Sequence, residues 1–150
     1  MPETKERKET TEEFFLGEIY KNAKMGADSI INLLPKVSDD ALRSAMTMQL
    51  DGYEKYAARA ARALEGRDVT PKEETLMVRL SAKMGMAFNT MISTSTSHIA
   101  EMMIEGSNMG ITDMTKLVNN YDTQDSEAVR LAREIISFEE HNIEILKRYL

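Results

Sequence analysis

The chain has no cysteine and no tryptophan, and its 150 residues include only three prolines, seven glycines and two histidines. Without cysteine there is neither a disulfide framework nor a thiolate metal site, a composition compatible with a reducing cytosol. No stretch approaches the 18 or so consecutive apolar residues of a membrane-spanning helix, so no membrane span is expected. The N-terminus, MPETKERKETTEE, is charged throughout and lacks the apolar core of a secretory signal, so a cytoplasmic location is expected. Positive charge is also scarce. The formal net charge is −6, which repels phosphate backbones. The basic residues are dispersed: Lys5, Arg7 and Lys8 alternate with glutamates, and Arg59, Arg62 and Arg67 follow one helix. No nucleic-acid partner is expected.

Apolar residues recur at intervals of three and four, which predicts an all-α protein. The first dozen residues read as a tail, with residues 1–10 mobile and 11–150 a single domain. Segment one starts at a capping box from Thr10 to Glu13 and runs to Leu34, where Pro35 stops it. Segment two follows Ser38, has Asp39 and Asp40 at its positive end, and closes at Gly66, read as the residue just past the helix. Segment three starts from Thr70 as N-cap, with Pro71 next and Glu73 completing a capping box. The last segment begins near Asp125, after the turn-like Asn119–Asp125, and runs almost to Leu150. Between Lys72 and Tyr121 a single helix of about 48 residues would reach about 70 Å. The third helix is therefore expected to be kinked or split, either at Ser93–Ser97 or at Gly106–Gly110.

At 100° per residue, each segment acquires an expected inner face. Segment one turns Leu16, Ile19, Ala23, Gly26, Ile30 and Leu33 inward. Segment two turns Leu42, Met46, Gln49, Tyr53, Tyr56, Ala60 and Leu64 inward, placing Gln49 and Tyr53 one turn apart. Segment three lines up Met77, Met84, Met91 and His98 at intervals of seven, with Glu105 next and Glu101 nearer the edge. The last segment turns Ala132, Ile135, Ile136, Glu139, Ile143, Leu146 and Leu150 inward, with Asn142 at the margin and His141 and Glu144 in solvent.

Antiparallel up-and-down helices of about 25 residues with polar groups inside, and the ending SFEEHNIEILKRYL (Ser137 to Leu150), resemble the ferritin-like four-helix bundles. That resemblance implies a dinuclear iron or manganese centre held by two glutamates and two Glu-x-x-His pairs. The pattern is absent: Ser95 stands three residues before His98, and Phe138 three before His141. Inverted His-x-x-Glu pairs occur at His98/Glu101 and His141/Glu144. MGITDMTK (Met109 to Lys116) and LAREIISFEEHNIEILKRYL (Leu131 to Leu150) also resemble the C-terminal hairpin of a bacterial family of unknown function. Ser107 and Asn108 stand where that family has histidines. SHIAEM (Ser97 to Met102) and GSNMG (Gly106 to Gly110) are similar to small helical proteins of Firmicutes, a likeness that implies no activity.

Two readings of the inner polar residues follow. In one, Glu139 is satisfied by Gln49, Tyr53, His98 and Asn142 in a network that fixes helix register, since an unpaired buried carboxylate costs several kcal/mol. In the other, His98, Glu101, Glu105 and Glu139 hold a metal, iron or manganese, though three or four ligands are needed. A third places a small-molecule pocket at Gln49, Tyr53 and His98. The twelve methionines sit mostly at core spacing, where flexible side chains fill gaps. Met86, Met103 and Met109 fall off the main stripe, as at a homodimer interface. No phosphate-binding glycine loop and no nucleophile with its own base is found. The expectation is a non-catalytic bundle with a structural or partner-binding role and no cofactor.

Overall fold

In the computed structural model, residues 10–71, 94–121 and 126–150 are described, and among them every regular element is helical, with no strand. The helices are α1 (Thr11–Leu33), α2 (Asp40–Glu65), α3 (Thr96–Asn119) and α4 (Glu127–Leu146). Short 3₁₀ turns at Leu34–Lys36 and Lys147–Tyr149 extend α1 and α4. None of the described helices is long and apolar enough to cross a membrane. Residues 1–9, Glu73, the methionines at 77, 84, 86 and 91, and residues 122–125 lie outside the described residues.

Each helix begins on a side chain that accepts a hydrogen bond from an otherwise unpaired amide of the first turn. At α1 the capping box is complete: Thr10 Oγ1 accepts from the Glu13 amide at 3.1 Å, and Glu13 returns the bond to the Thr10 amide at 3.0 Å. Asp39 caps α2, Ser95 caps α3 and Ser126 caps α4. Pro35, with no N–H to donate and a fixed φ, falls in the 3₁₀ turn that ends α1.

The end of α2 differs from expectation. Gly66 keeps right-handed helical geometry (φ −61°), and the left-handed residue is Asp68, at φ 58°. Val69 N–H donates to the Leu64 carbonyl and Asp68 N–H to that of Glu65, a Schellman closure in which Val69 packs beside Leu64. Aspartate tolerates this conformation better than most residues, so the turn forms two residues beyond the glycine.

Among the described residues, α1 packs chiefly on α2, and α3 chiefly on α4. The core of the described residues falls into two apolar clusters. One gathers Phe15, Leu16 and Ile19 of α1 with Ala60 and Leu64 of α2, Met114 of α3, and the run from Ala128 to Ile135 of α4. The other joins Ala27, Ile30 and Leu33 with Leu42, Met46, Tyr53, Ile99, Met103 and Leu146. The expected inner faces of α1, α2 and α4 are largely those observed. Gly26, Tyr56, Ile136 and Ile143 are only half-buried, and Leu150 is 61% exposed.

α3 corrects the expected phasing. It starts at Thr96, within the Ser/Thr run and after the non-helical Thr94 and Ser95, and passes unbroken through Gly106 and Gly110. Met77, Met84 and Met91 of the expected column lie outside the described residues, and His98, next in that column, is not on the buried face. The buried face is Ile99, Ala100, Met103, Ser107, Gly110 and Met114. His98 is only partly covered, and Glu101 and Glu105 lie outside. Met103 is buried, whereas Met109 is 48% exposed.

Candidate functional site

The site is a polar layer lying between the two apolar clusters. α1 contributes Asn22, α2 Gln49 and Tyr53, α3 Ser107, and α4 Glu139 and Asn142, all buried. On each of α2 and α4 the two residues stand three or four positions apart, so both side chains share one helix face. Tyr53 spans the layer: its hydroxyl donates to Glu139 Oε2 at 2.6 Å, while its ring meets Phe138 edge-on with centroids 5.1 Å apart. Two glycines make room. A Cβ on Gly26 would come within 2.6 Å of the Tyr53 ring, and one on Gly110 within 2.9 Å of Glu139 Oε1 and 3.5 Å of Asn22 Oδ1. The helices can thus carry an aromatic ring and a carboxylate into the interior because the opposing positions lack side chains.

Electrostatically the layer consists of one acid among neutral groups. Burial pushes the Glu139 carboxyl up from 4.5 to about 7, against the opposing pull of hydrogen bonds from Tyr53 and Ser107. Burial first, and then the adjacent Glu139 carboxylate, hold the Tyr53 phenol well above its usual value. Tyr53 is therefore the donor and Glu139 the acceptor. Both amide atoms of Gln49, and Nδ2 of Asn142, are buried without a hydrogen-bond partner among the described residues.

The structure buries Gln49, Tyr53 and Glu139, which the helix phasing turned inward, and also Asn142, which it put at the margin. It does not bring in His98, Glu101 or Glu105. The side chains of His98 and Glu101 are 39% and 62% exposed, and their nearest approach is 4.0 Å. Glu105 is exposed on the same helix. With α3 starting at Ser95, its inward direction passes through Ile99 and Met103, which turns these three residues outward. His141 and Glu144 lie in solvent as expected, and Glu144 pairs with Lys147 at 2.7 Å. Sequence reasoning missed Asn22, Ser107 and Gly110. Ser107 and Gly110 would have followed from restarting the phase at Ser95. Asn22 is adjacent to Ala23, which does occupy the expected inward position.

Among the described residues no group of three or more histidines, aspartates or glutamates is placed to hold a metal ion. The layer's donors are one carboxylate, a phenol, a hydroxyl and amides, which do not fit the four-glutamate, two-histidine set of a dinuclear centre. No protein-family model, no curated protein and no solved structure matches the chain.

Proposed function

We propose that this chain is a non-catalytic helical-bundle protein with a structural or partner-binding role, whose interior polar layer sets how its helices register. The observation that carries this reading is the 2.6 Å bond from Tyr53 to a 2%-exposed Glu139, closed between two apolar clusters. A buried polar pair of this kind is satisfied in one alignment of α2 against α4 and left unpaired in its neighbours, a larger penalty than apolar packing alone imposes on a slipped register. An antiparallel, ferritin-like arrangement is part of the proposal. It is supported by the clustering of early α1 residues with late α2 residues, and of late α1 residues with early α2 residues.

The runner-up is an iron- or manganese-binding bundle with a degenerate site centred on Glu139. Metal analysis of untagged protein separates the two. The structural reading expects clearly less than one metal per chain. One or two irons or manganeses per chain, lost in Glu139→Ala, would replace it with the metal reading. We further propose a cytoplasmic homodimer without nucleic-acid partners, in keeping with the net charge of −6.

A further inference from the structure

Gln49 is 3% exposed and Asn142 2%, yet Gln49 Nε2 and Oε1 and Asn142 Nδ2 make no hydrogen bond of regular geometry among the described residues, although the Asn142 side chain lies close enough to the Tyr53 phenol to pull its pKa down. Leaving such a group unpaired in a low-dielectric interior costs about 1–3 kcal/mol, and buried amides in native proteins are nearly always paired. The register places these two side chains on the same side of the Tyr53–Glu139 bond. Leu42 and Met46 of α2 share a cluster with Leu146, whereas Ala60 and Leu64 share one with Ala128 to Ile135. Moving back along α2 therefore corresponds to moving forward along α4. Gln49 lies one turn before Tyr53, and Asn142 one turn after Glu139.

Chemistry narrows what could satisfy them. Two of the three groups are N–H donors, so a cation cannot serve them. An anion would face the Glu139 carboxylate in a medium that screens poorly. What remains is a neutral guest that both donates and accepts. Gln49 and Asn142 are at most 3% exposed, so the guest is enclosed. We propose that the polar layer is a built-in water site, in which ordered water accepts from Asn142 Nδ2 and Gln49 Nε2 and donates to Gln49 Oε1. Interior waters typically make about three such bonds. The inference rests on the bundle reading above and adds a resident ligand to it.

Two measurements on the full chain decide it. In ¹⁵N-labelled wild type, the side-chain amides of Gln49 and Asn142 should show direct cross-relaxation with a slowly exchanging water. Its sign in the laboratory and rotating frames separates this from exchange relayed through the Tyr53 and Ser107 hydroxyls. Gln49→Leu should lower Tm by roughly 3–6 °C, because a satisfied group has been removed. Absence of water cross-peaks at both amides overturns the proposal, as does a higher Tm in Gln49→Leu, the response of an amide that was never satisfied. A stoichiometric organic guest in native mass spectra of wild type also overturns it. If Gln49→Leu does not fold, the wild-type spectrum decides alone. Failure of the bundle reading is distinguishable, since it appears as bound iron or manganese.

Discussion

At the scale of single residues, Glu139 governs how the protein responds to pH. In the unfolded chain this carboxyl releases its proton near 4.5, whereas in the folded interior it holds it to about 7. The described residues that hydrogen-bond it, Tyr53 and Ser107, are uncharged at these pH values. Between those two values the folded state binds the extra proton, so Glu139 makes stability fall as pH rises, with the effect complete above about 7. At about 1.4 kcal/mol per pH unit, the loss is roughly 3 kcal/mol. Urea unfolding of wild type and Glu139→Gln across pH 4–8 should show this slope only in wild type. Parallel curves would remove Glu139 as its source. Tyr53→Phe takes away a donor that favours the carboxylate, so the Glu139 titration, followed by ¹³C NMR of its carboxyl carbon, should move further upward. A downward move would mean that the phenol is not what lowers it.

At the scale of elements, α3 carries two glycines of opposite meaning. A Cβ at Gly106 meets nothing within 4 Å, so Gly106→Ala should stabilise by about 0.5–1 kcal/mol through reduced backbone freedom. At Gly110 a Cβ would press on Glu139 at 2.9 Å, and Gly110→Ala should instead destabilise by roughly 1–3 kcal/mol. Denaturation midpoints of the two variants should therefore move in opposite directions, and a common rise would mean that Glu139 yields easily. The start of α4 is held differently. Glu12 of α1 accepts from the Tyr121 hydroxyl and, at 3.0 Å, from the Ala128 amide. A carboxylate from a distant helix thus sits at the positive end of α4, where it also offsets the helix dipole. Burial and this contact raise the Tyr121 phenol to about 12, so it remains the donor.

At the scale of the whole molecule, the described residues form two apolar clusters with a polar layer between them. The clusters supply most of the driving force, since each fully buried Leu or Ile contributes about 1.5–3 kcal/mol. The layer discriminates among alignments. The outer surface keeps apolar residues in solvent, among them Met48 at 74% and Met109 at 48% exposure. A homodimer formed through the outer face of α3 predicts a dimer mass in light scattering. It also predicts a shift toward monomer in Met109→Glu but not in Met48→Glu. A monomeric wild type, or loss of the dimer through Met48 instead, would reject that face.

Among the described residues, the sequence by itself determined that α1, α2 and α4 are helical, where Thr10, Pro35 and Asp39 start or stop them, and which of their faces point inward. These follow from local rules: capping partners three residues apart, a proline without an N–H, and a 3.6-residue period. It also placed Gln49, Tyr53 and Glu139 inside, and Asn142 only at the margin. Only the tertiary structure decided the rest. α3 took its phase from a new cap at Ser95 and from packing against α4, which turned His98, Glu101 and Glu105 outward and drew Ser107 and Gly110 in. The left-handed turn after α2 fell to Asp68 because the chain closes two residues beyond Gly66. The pairing of Tyr53 with Glu139 joins positions 86 residues apart in sequence. No periodicity within one helix encodes such a contact; it forms when the packing of the helices brings the two faces together.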